Sequence, residues 1–370
     1  SISSINNNTD ITPVTAKMEI EQNMTPADFS AVAAMLDTEK DGLEDIAKAA
    51  ELIKNGYVVG IPTETVYGLG ADALNEQAVR AVFAAKGRPA DNPLIVHIAD
   101  FSDAEKYLSY IPELAYKLAE KFCPGPLTMI LPKKDIIPSV TSGGLDTVGI
   151  RVPSHEVMHR IIVESGCPIA APSANLSGLP SPTCAEHVMD DMQGRIAAVL
   201  DGGSSEFGVE STVICFENED TVRILRPGAV TREMLLEICG EVNIDPAVLK
   251  ELENGETAAS PGMKYIHYSP KANVVVVEGN TENFREFISC NNGENVYSLI
   301  YGGEEMDSDC KYMAYGETAE EQAHLLFQRL RELDEAEAKT VYVRPPSKEG
   351  IGLAVYNRLI RAAGFEVIRV

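Results

Sequence analysis

Cations are scarce in this chain. Lysine and arginine together number 31 against 56 aspartates and glutamates, a formal net charge of −25. Nucleic-acid binding draws on cationic counterion release, so the chain as a whole repels nucleic acid at long range. Any nucleotide site must be a local basic island in an acidic body. Long apolar runs are missing too, and nothing approaches the ~18 consecutive apolar residues that a membrane-spanning helix needs. The seven cysteines include no C-x-x-C pair and are odd in number, which fits neither a zinc site nor a fully paired disulfide framework. The opening SISSINNNTD lacks the basic-then-apolar order of a signal peptide. A reducing, cytoplasmic setting is the expectation.

Known phosphate loops and nucleophile motifs are lacking as well. No G-x-x-x-x-G-K-[ST] occurs, and no G-x-G-x-x-G opens a helix. No G-x-S-x-G elbow or local Cys–His signature suggests covalent catalysis.

What is there is a packed α/β chain. Hydrophobic residues make up 45% of the 370 positions and charged ones 24%, enough for a core, and the length predicts about two domains at roughly 100–200 residues each. Residues 1–40 read as a polar extension, with only a short helix near Phe29–Leu36. From 41 to 240, periodicity predicts helices at Leu43–Asn55, Glu76–Lys86, Ile111–Phe122, Glu156–Ser165, Cys184–Met192 and Arg232–Cys239. Strands are predicted at Tyr57–Ile61, Leu94–Ile98, Leu127–Leu131, Thr147–Val152, Ile169–Ala171, Ala198–Leu200, Ser211–Phe216 and Thr221–Leu225. This mixed order predicts an α/β domain around a partly antiparallel sheet. Residues 241–271, rich in Gly, Pro and small polar residues, read as an interdomain linker. Alternating strands and helices over 272–370 predict a smaller, doubly wound second domain.

Several segments carry polar chemistry. Lys86 and Arg88 in KGRP, set by Gly87 and Pro89, offer a point charge and a planar fork to phosphate oxygens, although a basic helix C-terminus reads the same way. Ser173 and Asn175 in PSAN offer a hydroxyl and an amide at a strand-to-loop corner, or a plain turn. Thr63, Glu64, Thr65 and Tyr67 follow a strand end, where open α/β sheets bind ligands. Arg151, inside an apolar strand, needs either an internal carboxylate or a bound anion. His97 poses the same question, and a hydrogen-bonded core imidazole answers it as well as a ligand contact. Arg226 is a further cation with a surface salt bridge as its alternative. Residue by residue, the inventory reaches a nucleotide- or phosphate-handling α/β protein, in which positioning and electrostatics supply most of the catalysis.

Taken in order, PTETVYGLG, KGRPADNPLIVHI, CPGPLTMIL, TVGIRVP, APSANLSGLPSPT, GVESTVI, ILRPG and SPGMKYIHYSP resemble the threonylcarbamoyl-AMP synthase family in its two-domain form. The resemblance implies a YrdC-like catalytic domain, an open twisted mixed sheet around a concave site, joined to a Rossmann-like domain. It implies synthesis of L-threonylcarbamoyladenylate from L-threonine, bicarbonate or CO2, and ATP with Mg²⁺, the product feeding t6A modification of tRNA. The family's K-x-R and S-x-N signature falls on Lys86, Arg88, Ser173 and Asn175. Lys86, Arg88, Thr147, Ser173, Ser181, Arg226 and Tyr268 would surround ATP; Thr63, Tyr67, His97, Arg151, Ala171 and Ser211 would line the threonine pocket. No side chain is implied as a metal ligand, magnesium riding on the ATP phosphates. Expected partners are the three substrates and the t6A transferase machinery, with weak or indirect tRNA contact and no membrane. Two positions depart from the pattern: Ile266 stands where a basic residue is expected and Ala171 where a small hydroxyl residue is. The alternatives are an RNA-binding module on the same fold and a carbamoyl-transfer enzyme of hydrogenase-maturation type. The second domain, without a Gly-rich fingerprint, reads as a lid or docking module.

Overall fold

The computed structural model describes residues 2–4, 34–250, 267–304, 306 and 309–370. Its first sheet has twelve strands: β1 (Ile2–Ser4), β2 (Ala34–Asp37), β3 (Val59–Ile61), β4 (Gly68–Asp72), β5 (Ile95–His97), β6 (Leu127–Pro132), β7 (Thr147–Arg151), β8 (Ile169–Ala170), β9 (Ala198–Asp201), β10 (Thr212–Phe216), β11 (Thr221–Arg226) and β12 (Glu241–Ile244). They lie in the order β1-β2-β9-β3-β4-β8-β5-β7-β6-β10-β11-β12. Parallel pairs (β5 with β7, β6 with β10) alternate with antiparallel ones (β4 with β8, β6 with β7), the mixed sheet that the sequence predicts.

Helix Glu76–Lys86 shows how local sequence places a functional side chain. Asn75 Oδ1 accepts from the Ala78 amide at the start, and Gly87 closes the end in the left-handed region at φ 72°, the conformation that glycine adopts without strain. Ala78, Val79, Val82 and Phe83 bury one face. The helix therefore stops with Lys86 on its last turn, against the sheet. On the other side of the sheet's centre, parallel pairing puts His97 of β5 in register with Arg151 of β7.

The second sheet is fully parallel, β15 (Lys311–Ala314), β14 (Val296–Ile300), β16 (Thr340–Val343), β13 (Asn273–Glu278) and β17 (Val367–Arg369) in that order. Helix Ala319–Glu335 opens with a reciprocal capping box between Thr318 and Glu321 and buries Ala323, Leu326, Phe327, Leu330 and Leu333, one stripe at helical spacing. Its second turn packs on the first domain at Gly208, where an added Cβ would sit 2.6 Å from the Ala323 carbonyl oxygen and from the His324 Cα. Further along, Arg331 grips Asp191 through both guanidinium nitrogens, 2.9–3.0 Å, and donates to the Pro180 carbonyl at 2.7 Å.

Several expectations need correction. Gly68–Asp72 belongs to the sheet and not to the loop after β3; glycines are depleted from strands, so GLGAD gives no strand signal. Gly70 is required there, since a Cβ would meet the Ile61 Cδ1 at 2.1 Å. Glu241–Ile244, inside the segment read as linker, pairs with β11. Ala34–Asp37, read as helix and extension, is a strand against β9. Helix Arg232–Leu235 is a single turn, and the four-residue β15, KYMA, is too short to show an alternating pattern. Ile266 lies outside the described residues.

Candidate active site

A cavity opens where β5, β7 and β11 end and β4 and β10 begin, and its lining draws on both halves of the chain. Thr63, His97, Arg151, Ala171 and Ser211 line it together with Arg88, Ser173, Arg226, His267 and Tyr268. Nine of the residues expected from the resemblance thus meet in one cavity.

Arg151 is 2% exposed, and its partner is internal: Nη1 donates to Glu64 Oε1 at 2.8 Å. The second Glu64 oxygen accepts from the Ser154 amide at 2.5 Å and its hydroxyl at 2.6 Å. Burial alone would raise the Glu64 carboxyl, but Arg151 and the Ser154 bonds outweigh it and hold it below the ordinary value. Arg151 Nη2 bonds Thr65 Oγ1 at 3.3 Å. His97, in register beside it, donates from Nδ1 to the Ile169 carbonyl at 3.1 Å, since a carbonyl can only accept. Burial, then the Arg151 charge, push its pKa down to about 3, so the imidazole is neutral.

Elsewhere in the lining, Arg226 is held to Ser211 by Nε to the carbonyl at 3.0 Å and Nη2 to the hydroxyl at 3.2 Å. Burial lowers even this guanidinium, to about 10. Lys86 is 1% exposed and donates to the Ser173 carbonyl, with the Ser173 hydroxyl at 3.5 Å. Burial first and the Arg88 charge second hold its pKa well below the usual lysine value. Such a crowd of desolvated cations is what a polyanion completes. The buried His267 Nε2 has no hydrogen-bond partner in the described structure, as expected of an atom that awaits a ligand.

Other expected residues stand elsewhere. Tyr67 turns its hydroxyl away, donating to the Gly203 carbonyl at 2.6 Å and accepting from the Gly202 amide at 3.0 Å. Thr147 begins β7, four residues from Arg151, and does not line the cavity. Asn175 braces its own loop, Nδ2 donating to the Leu176 and Leu179 carbonyls at 2.8 and 3.0 Å. Lys86 and Ser181 sit behind the wall, Ser181 donating to Glu210 Oε1 at 2.5 Å. Glu210 and His267 line the cavity and were not singled out from sequence; the signal for Glu210 was a carboxylate opening the apolar strand of GVESTVI. Among the described residues no group of three or more His, Cys, Asp or Glu is placed to hold a metal ion.

Fold and cavity together define a two-domain α/β protein with an anion-seeking cleft lined in part from its second half. Two family models match the chain. One, described as "Telomere recombination" and covering the Sua5, YciO and YrdC proteins, spans residues 51–228; the other, "Threonylcarbamoyl-AMP synthase, C-terminal domain", spans 230–364. The threonylcarbamoyl-AMP synthase of Pyrococcus abyssi is 47% identical over 87% of this chain and 95% of its own length. That of Bacillus subtilis is 45% identical over 88% and 94%. The crystal structure of P. abyssi Sua5 complexed with L-threonine superposes with a TM-score of 0.84 at 44% identity, covering 91% of this chain and 99% of that one. The chain belongs to the threonylcarbamoyl-AMP synthase family.

Proposed function

We propose that this protein is an L-threonylcarbamoyladenylate synthase, a nucleotidyltransferase acting on L-threonine, bicarbonate or CO2, and ATP. The observation that carries this reading is one cavity lined by two unlike sets of groups. Arg151, Thr63 and neutral His97 suit a small zwitterion, while Arg88, Ser173 and Arg226 suit phosphates.

In this reading Arg151 receives the threonine carboxylate on the guanidinium edge that Glu64 leaves available. The threonine amine, as the free base, attacks CO2 and loses a proton to give N-carboxythreonine. A carbamate oxygen then attacks the α-phosphorus of ATP in line, and the bond to pyrophosphate breaks. Arg88, Arg226 and Lys86 neutralise charge growing on the phosphate oxygens. Magnesium would enter on those phosphates as a hard cation with oxygen ligands, and no step is assigned to it. Thr63 Oγ1 donates to the Val66 carbonyl at 2.6 Å and accepts from the Thr65 amide at 3.2 Å and the Thr65 hydroxyl at 2.8 Å, so its part is to hold the shape of the pocket. The product supplies the machinery that installs t6A on tRNA, in the cytoplasm; no helix among the described residues is long and apolar enough to cross a membrane.

The test is direct: incubate the full chain with ATP, Mg²⁺, bicarbonate and threonine, and separate the nucleotides. A threonine- and bicarbonate-dependent adenylate with matching pyrophosphate is the expected result. A folded, ATP-binding protein that makes none overturns the assignment.

A further inference from the structure

Arg358 is the largest fully buried side chain of the described chain, with 0% of its surface exposed. It lies on helix Gly352–Ala362 of the second domain, yet its guanidinium ends in the first. Nε donates to Glu210 Oε2 at 2.9 Å, Nη2 to the Glu210 carbonyl at 3.1 Å, and Nη1 to the Pro227 carbonyl. One side chain therefore holds the backbone and the carboxylate of residue 210, and also the residue after Arg226. Those two points are the mouth of the β10–β11 hairpin, where Gly228 leaves no space: a Cβ there would sit 2.8 Å from the Glu210 carbonyl oxygen. The guanidinium also lies 5.8 Å from the centre of the Tyr268 ring, which lines the cavity.

We infer that Arg358 is a positioning residue for the nucleotide site, contributed by the second domain. It fixes the Glu210 carboxylate between itself and Ser181, and so keeps that carboxylate off Arg226. The inference rests on the synthase reading for the identity of the nucleotide. Without Arg358 the buried Glu210 carboxylate has Ser181 and the neighbouring Arg226 to turn to, and an unpaired buried charge takes the strongest partner in reach. Arg226 then answers to Glu210 instead of to phosphate. The nearby Arg361 makes a contrasting contact: its Nη2 donates to the Ala247 carbonyl at 2.6 Å, joining the domains without touching Glu210.

The experiment uses full-length Arg358→Met, Glu210→Gln, the double variant and Arg361→Ala, with pyrophosphate release measured while ATP and threonine are varied separately. Arg358→Met is expected to raise the ATP KM at least tenfold with the threonine KM changed less than threefold. Adding Glu210→Gln is expected to bring the ATP KM back to within threefold of Glu210→Gln alone, and Arg361→Ala to stay within twofold of the parent. Equal losses in Arg358→Met and Arg361→Ala, or no relief from Glu210→Gln, would make Arg358 a structural bolt and overturn the inference. Should Arg358→Met not fold, Arg358→Gln carries the test: it keeps a polar amide but removes the cation that holds Glu210, and an unchanged ATP KM overturns the inference. A parent protein that makes no adenylate refutes the synthase reading alone, and dissociation constants for a non-hydrolysable ATP analogue then read the same comparison.

Discussion

Replacing Glu64 by glutamine is the sharpest perturbation that this site offers. Glu64 and Arg151 are each 2% exposed and 2.8 Å apart, and Ser154 occupies the second carboxylate oxygen. Removing one partner of such a pair strands the other charge, which costs about 3–5 kcal/mol. Glutamine keeps one acceptor oxygen, so the low end, about 3 kcal/mol, applies. At roughly 2–4 °C per kcal/mol for a domain of this size, the first domain should melt about 6–12 °C lower. Glu64→Gln with Arg151→Met removes both charges and should recover most of that loss, because an apolar replacement of a buried pair is often neutral.

The pH dependence is fixed by the direction of the shift. The folded carboxyl sits below its unfolded value of 4.5, so its stabilisation is complete above that value. It is lost as pH falls through the lower folded value. The gap between parent and Glu64→Gln should therefore be full at pH 7 and close only in acid. Differential scanning calorimetry at pH 7 and in a series of decreasing pH below 4.5 reads both quantities, and threonine KM should rise in the single variant as Arg151 loses its anchor. A melting loss under 2 °C, or a double variant less stable than the single, would refute the reasoning.

Lys86→Ala and Arg88→Ala should each lower adenylate formation about 100-fold or more, the scale seen when one preorganised donor to developing charge is removed, with the far-ultraviolet circular dichroism unchanged. Lys86 is held below its ordinary pKa by burial and by Arg88, so bound nucleotide phosphates should raise that pKa. Titration calorimetry in buffers of different ionisation heat should then show net proton uptake, reduced in Lys86→Met; proton release would contradict it. For the unliganded protein the same depression means that stability rises with pH between the folded and unfolded lysine values. Gly208→Ala combines a positive φ of 78° with a Cβ 2.6 Å from the helix backbone opposite. It should cost about 1–3 kcal/mol, read as a lower melting temperature.

The parts of the site that sequence discloses are the local ones. Helix Glu76–Lys86 was legible to the residue because its cap, its buried stripe and its terminal glycine all lie within 13 positions, and that helix delivers Lys86 and Arg88. Arg151 was legible as a cation that needs a partner, but not as the partner of Glu64, which is 87 residues earlier in the chain. Arg358 and Glu210, 148 residues apart, gave no joint signal, since nothing local to either residue names the other. Tyr67 shows the opposite failure. It stands two residues from Thr65, which lines the cavity, yet the chain enters β4 there and its hydroxyl reaches the Gly202–Gly203 turn instead.

Charge gives the cleft its logic. The whole chain is strongly acidic, yet the two cleft carboxylates are already committed, Glu64 to Arg151 and Glu210 to Arg358. Among the described residues neither Lys86 nor Arg226 makes an ion pair; they lean on the Ser173 and Ser211 carbonyls. Carbonyl dipoles compensate a buried cation only in part, which is why burial depresses both groups. A ligand carrying several negative charges removes that strain, and a neutral one of the same shape does not. Selection for a polyanion therefore follows from how the carboxylates are spent, and the second domain enters that selection through Arg358, which occupies one of them.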